Sequence, residues 1–244
     1  LLALNILKGF DFAGLGPDDP DVVHHQVEAI KLAFADRYAH VGDPARIDVP
    51  VDELLSDEHA ARQRARIDPA RAMAWPIESL LDRRTSNTTT FHVVDRDGNA
   101  AAVTTSLGAQ FLVVGQTGIH INNRMAFLAL EEDDPNRLTP GYKVRHTSNP
   151  YLALRDGRPF VLGGNTGVDT QPQGQLQQFM AIADFGLGAQ DAVDRPRFVS
   201  TAFPATTYPY DVGNTLQMER GFPAALLQAL RARGHEIVDG EGVF

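Results

Sequence analysis

The sequence contains no cysteine, which excludes disulfides and thiolate chemistry but leaves the compartment, cytoplasmic or secreted, open. No apolar run approaches the ~18 residues a membrane-spanning helix needs, so no membrane span is expected. Positive charge is scarce. With 22 Lys and Arg against 31 Asp and Glu, the formal net charge is -9. That leaves no basic stripe to neutralise phosphates and excludes nucleic acid as a partner. There is no internal repeat, no low-complexity tract, no P-loop, no dinucleotide fingerprint and no G-x-S-x-G elbow. His24, His25, His40 and His59 read as surface residues with no carboxylate completing a metal set, so neither metal nor cofactor is expected.

What is present suits a soluble globular chain of 244 residues, 43% hydrophobic and 22% charged, long enough to bury a sizeable core. The first 87 residues are mostly helical in pattern. Val23, Val27, Ile30, Phe34 and Tyr38 step by three or four, which predicts a helix over about 20–40 with one apolar face. Gly42-Asp43-Pro44 ends it, because proline cannot continue a helix. A charged helix over about 57–66 leads to an irregular connector, 68–84, containing Trp75 and Pro76. Residues 1–7 already read as helix, without an initiator methionine, and His235 to Val238 reads as a strand whose partner would come next. The sequence is therefore expected to be part of a longer precursor.

The centre of the pattern is Thr88-Thr89-Thr90, heading an alternating run that reaches the turn signal Asp95-Arg96-Asp97-Gly98. Strands are expected over 91–94, 100–105, 118–121, 151–154 and 160–162, and helices over 173–185 and 223–233. Strands followed by packed helices predict an α+β layered sandwich. A threonine opening an inner strand can serve as an N-terminal nucleophile. Its hydroxyl attacks the preceding carbonyl, and the freed α-amine, with a pKa near ~8, becomes the base. The alternative is that β-branched threonines simply suit a strand. Gly163-Gly164-Asn165-Thr166-Gly167 precedes a helix and can aim backbone N–H groups at an oxyanion, or be a tight turn with no ligand.

Taken together, these motifs resemble the γ-glutamyltransferase (γ-glutamyltranspeptidase) family of N-terminal nucleophile hydrolases, including its acylase-like branches. Phe34-Ala35-Asp36-Arg37 with Gly42-Asp43-Pro44 resembles the end of the family's large subunit. Thr88-Thr89 through Val93-Val94-Asp95-Arg96-Asp97-Gly98 resembles the start of its small subunit, and residues 118–123, 140–150, 164–167 and 192–198 follow in family order. The resemblance implies a four-layer αββα sandwich, partial in this chain. Residues 1–87 would be the C-terminal part of the large subunit and 88–244 most of the small subunit, together one domain.

It also implies roles. The family's nucleophile lies seven positions before Asp95, at Thr88, freed by cleavage between Asn87 and Thr88. Ser106 matches a hydroxyl near the nucleophile, and Gly167 and Val168 match a glycine pair forming the oxyanion hole. His146 and Thr147 match a serine pair beside the scissile group. The expected activity is cleavage or transfer of a γ-glutamyl group from glutathione-type small-molecule amides to water or an amine. Departures concern specificity: Val168 replaces a glycine, Gly108 an asparagine, and no acidic residue follows Asn122-Asn123. Arg124 stands there instead, so Asn123 and Arg124 are expected at the substrate. The acylase alternative, cleavage of a non-glutamyl acyl amide, and an unprocessed relative with a binding role both remain open.

Overall fold

The computed structural model describes residues 1–74, 88–106 and 113–240. Asn87, Gly108, Trp75 and most of the expected connector lie outside the described residues. Helices α1 (Leu2–Leu7), α2 (Pro20–His40), α3 (Val51–Leu54) and α4 (Asp57–Arg64) come first, and strands β1 (Thr89–Val94) and β2 (Ala100–Thr105) follow. After a one-turn 3-10 helix at Arg124–Phe127 come β3 (Tyr151–Arg155), β4 (Arg158–Gly163), α5 (Thr170–Ala183) and α6 (Ala189–Asp194). The described chain closes with β5 (Phe198–Ser200), β6 (Leu216–Met218), α7 (Ala224–Ala232) and β7 (Ile237–Asp239). No helix among the described residues is long and apolar enough to cross a membrane.

Helix α2 organises the packing. Asp19 caps its start, accepting from the Asp21 N–H at 2.8 Å, and Pro20 sits at the first helical position, where its missing N–H costs nothing. The expected apolar face is buried as far as Phe34, with Tyr38 half-buried, but so are Val22, Ala29 and Leu32 on other faces. A helix buried nearly all round must satisfy its polar side chains internally. Glu28, fully buried, accepts from Lys31 Nζ at 2.8 Å and from the Met73 N–H at 2.9 Å. Asp36 accepts from Gln63 at 2.9 Å and contacts His59 Nε2 at 2.8 Å. The core around α2 is filled by α1, α5, α7, β5 and β6, with Phe34 stacked on Phe203 at 3.8 Å.

Here the expectation of surface histidines is corrected: His24 is fully buried and His25 nearly so. His24 Nε2 lies 2.8 Å from the Asp68 carbonyl, which can only accept, so Nε2 carries the proton. His24 Nδ1 therefore accepts from His235 Nε2 at 2.8 Å. His24 thus donates through one nitrogen and accepts through the other, and His235 donates to it. With Glu28 they also form a set of three potential ligand atoms. The Lys31 ammonium on Glu28 opposes a cation there, so the cluster is read as structural.

The strands form hairpins β1–β2 and β3–β4, and a three-stranded sheet in the order β5-β6-β7. One strand expectation is corrected. Residues 118–121 form only a bridge between Val113 and His120; Ile119 and Ile121 lie exposed, with no neighbouring ladder to join among the described residues. The last strand finds a partner earlier in the chain: β7 pairs in parallel with β6, which precedes it. Phe91, Val93 and Leu154, on the two hairpins, are more than half exposed, in keeping with a chain that carries only part of a layered sandwich.

Two outcomes are expected. Lys31→Met strands the Glu28 carboxylate and should cost about 3–5 kcal/mol in urea unfolding, whereas adding Glu28→Gln should recover most of the loss. Equal losses in both would contradict the pairing. Burial, helped by the Lys31 charge, pushes the His235 imidazole down to about 3. In the unfolded chain it titrates near ~6.5, so the unfolded state takes up the proton first as pH falls. The stability from its neutral burial is present above pH ~6.5 and drains away from there towards ~3; His235→Gln should flatten that stretch of the stability curve.

Candidate active site

Strand β1 begins at Thr89, and its register with β2 pairs Thr89 with Thr105, which brings Thr88 opposite Ser106. The Thr88 hydroxyl donates to Ser106 Oγ at 3.1 Å. The same oxygen accepts from Arg124 Nη2. Arg124 reaches it from the one-turn helix, whose first N–H is capped by Asn122 Oδ1 at 2.9 Å. The Arg124 guanidinium stacks over Phe127, 5.1 Å from the ring centroid, and the residue is only 6% exposed. Burial lowers its pKa from the ordinary value. Among the described residues Arg124 Nε and Asn123 Oδ1 are buried without a partner, which leaves one donor and one acceptor uncommitted.

Strand β4 carries the glycine turn to this place. A Cβ on Gly164 would lie 2.3 Å from Thr90 Oγ1 and 3.0 Å from Thr104 Oγ1, so only glycine lets the strand end lie against β1 and β2. The chain then turns through Gly167 (φ +89°) and Val168 (φ +29°). Left-handed backbone suits glycine; on a β-branched valine it stores strain of about 1–3 kcal/mol. Among the described residues neither the Gly167 nor the Val168 N–H has an acceptor. Two successive free N–H groups in such a turn make an anion-receiving concavity. The Gly167 carbonyl is occupied, accepting from Thr170 N–H at 2.7 Å and Thr170 Oγ1 at 2.5 Å.

The 145–150 loop lies on the third side. His146 Nδ1 accepts from the Ser148 N–H at 2.9 Å, so Nε2 holds the proton. Burial, and then the Arg124 charge, lowers the His146 pKa and keeps the imidazole neutral near pH 7. Thr147 is buried. With the Gln171 amide nitrogen turned towards the surrounding oxygens, it donates to the Thr147 carbonyl at 3.0 Å and the Asn165 carbonyl at 3.2 Å. One side chain thus ties this loop to the glycine turn. Of the expected site residues, the structure brings Thr88, Ser106 and Arg124 into one bonded set, with His146 in the field of Arg124. Asn123 adjoins them in sequence.

Residues not foreseen are Asp169, Thr206 and Gln171, which support the turn. The polar run Asp169-Thr170-Gln171 directly after the glycines was the available signal. Gly164→Ala should destabilise by roughly 1–3 kcal/mol, as overpacking does, read as a lower urea midpoint at unchanged slope. An unchanged midpoint would show that β4 does not depend on that close approach.

The solved structure of a cephalosporin acylase from Bacillus halodurans superimposes with a TM-score of 0.80 at 34% identity, covering 98% of this chain and 41% of that one. A glutathione hydrolase-like YwrD proenzyme of Bacillus subtilis is 34% identical over 238 residues, 96% of this chain and 43% of the relative. An oxamate amidohydrolase proenzyme of Klebsiella pneumoniae is 35% identical over 224 residues, 90% of this chain and 40% of the relative. The fold is that of the N-terminal nucleophile hydrolases, of which this chain carries a part. The family described as gamma-glutamyltranspeptidase matches residues 1–244, and the chain belongs to that family. It spans less than half the length of these relatives.

Proposed function

We propose that the protein is an autoprocessed amidohydrolase or acyltransferase whose nucleophile is Thr88, acting on a small amide whose acyl group carries a carboxylate. In processing, Thr88 Oγ1 attacks the Asn87 carbonyl carbon, the peptide C–N bond breaks, and the resulting ester is hydrolysed by water. This divides the chain into 1–87 and 88–244 and frees the Thr88 α-amine. In turnover the α-amine takes the hydroxyl proton as Oγ1 attacks the substrate carbonyl. The carbonyl oxygen, now an anion, is received by the free N–H groups of Gly167 and Val168. The C–N bond breaks, the amine product leaves with the proton, and an acyl ester remains on Thr88. Water hydrolyses it, or an amine takes the acyl group.

The observation that carries the substrate reading is the buried Arg124 guanidinium bonded to Ser106 beside the nucleophile. A γ-glutamyl group brings an ammonium as well as a carboxylate. Two like charges ~5 Å apart repel by roughly 3 kcal/mol at an effective dielectric of ~20, about two orders of magnitude in rate. Arg124 therefore favours an acyl group with a carboxylate and no ammonium, the acylase alternative, over the γ-glutamyl group. The relatives' names, a glutathione hydrolase-like proenzyme, a cephalosporin acylase and an oxamate amidohydrolase, point to more than one kind of amide within the family. The γ-glutamyl reading stands second, supported by the glutathione hydrolase-like relative.

Glutaryl and γ-glutamyl anilides differ only in the ammonium and separate the two readings. The full-length enzyme is expected to prefer the glutaryl compound by about 10²-fold in kcat/KM, and Arg124→Ala to narrow the ratio below about tenfold. Thr88→Ala should abolish turnover of both. Equal loss on both compounds in Arg124→Ala would remove Arg124 from acyl selection.

A further inference from the structure

Asp169 follows the strained Val168 and is the N-cap residue of α5, yet its side chain makes no capping bond to that helix. The carboxylate is used elsewhere. Oδ1 accepts from Arg37 Nη1 at 2.8 Å and from Thr206 Oγ1 at 2.5 Å, and Oδ2 accepts from the Thr206 N–H at 2.7 Å. Arg37 Nη2 in turn donates to Thr206 Oγ1 at 2.6 Å, which closes a ring of bonds. The guanidinium is held from the side by Phe34, its carbon 4.3 Å from the ring centroid, and Thr206 is fully buried. Charge-assisted bonds of this kind, shielded from water, are strong and directional.

We propose that Asp169 is a positioning residue: gripped by Arg37 and Thr206, it holds the Gly167–Val168 turn in the left-handed conformation that presents two free N–H groups to the oxyanion. The inference rests on Thr88 being the nucleophile and the turn the oxyanion hole. Valine does not adopt φ +29° by preference, so without a fixed Asp169 the turn relaxes and its donors move off the reacting oxygen. Arg37 lies on α2, before the proposed cleavage at Asn87–Thr88, whereas Asp169 and Thr206 lie after it. The oxyanion hole of the later segment is thus set by an ion pair from the earlier one, and the two must stay associated after processing for the site to work. A pure helix cap is excluded as the role of this carboxylate by the bonds it does not make.

The test is a double-mutant cycle in the full-length enzyme, using whichever anilide the wild type hydrolyses faster. Asp169→Asn is expected to lower kcat by about 10²-fold, as loss of an oxyanion donor does, with KM within threefold. In a Val168→Gly background, where the turn no longer needs forcing, Asp169→Asn should cost less than about tenfold. Should Asp169→Asn be recovered unfolded, Arg37→Lys, which keeps the charge but cannot bridge both partners, reads the same coupling. An active wild type with kcat unchanged by these variants, a loss confined to KM, or the same loss in both backgrounds overturns the positioning role alone. A wild type that hydrolyses neither anilide and keeps the Asn87–Thr88 bond overturns the nucleophile reading and this inference together.

Discussion

The structure depends on one constraint: α2 is buried on nearly every side although it carries His24, Gln26, Glu28, Lys31, Asp36 and Arg37. A buried polar group without a partner costs on the order of 1–3 kcal/mol, so each of these side chains must find one. They find partners in different parts of the chain. His24 reaches Asp68 and His235, Glu28 the Met73 backbone, Asp36 the α4 residues His59 and Gln63, and Arg37 the turn before α5. Gln26 donates to Met180 Sδ on α5 at 3.2 Å. Satisfying one helix thereby fixes the relative positions of α4, α5, the chain around 68–73 and the start of β7.

Helix α5 solves the converse problem. Its glutamines serve a strand edge: Gln173 donates to the Ser200 carbonyl and accepts from the Ser200 N–H, and Gln177 does the same with Phe198, at 2.8 to 3.1 Å. The amide side chains act as a substitute strand on the open side of β5, which is paired on its other side with β6. The glycine turn lies between β4 and this anchored helix, which explains how a turn with strained backbone is held at a fixed place. Gln171, two residues before Gln173, reaches the 145–150 loop and brings the third wall of the site into the same framework.

Much of this was legible in the sequence where the signal is local. The limits of α2 and β2, the β1–β2 hairpin and its turn, and the glycine break before α5 follow from capping, alternation and φ preference within a few residues. The hydroxyl pair Thr88 and Ser106 was reachable through family resemblance, because antiparallel register places residues opposite each other about the turn. What was illegible depends on long-range closure. β5 and β6 are three residues each, too short for alternation to register, and β7 pairs in parallel with β6 across the intervening α7. Burial of His24 beside Glu28 follows from α2 being enclosed on all faces, which a single apolar stripe does not announce. Val168 was noticed as a departure from glycine, but that it keeps the glycine's left-handed backbone could be seen only in the fold.

Chemistry and selectivity reside in different parts of the site. The hydroxyl pair and the free N–H groups are provided by backbone register and turn geometry, whereas the charge that we propose distinguishes one acyl group from another sits on the Arg124 side chain. Because the α-amine base exists only after the chain is cut, the proposed mechanism stands or falls on that event. The most direct measurement is intact-mass and N-terminal sequencing of the full-length protein after incubation at neutral pH, beside Thr88→Ala. The account predicts two fragments, the second beginning at Thr88, and an uncut Thr88→Ala. A wild-type protein that remains a single uncut chain, or one cut identically in Thr88→Ala, would contradict it.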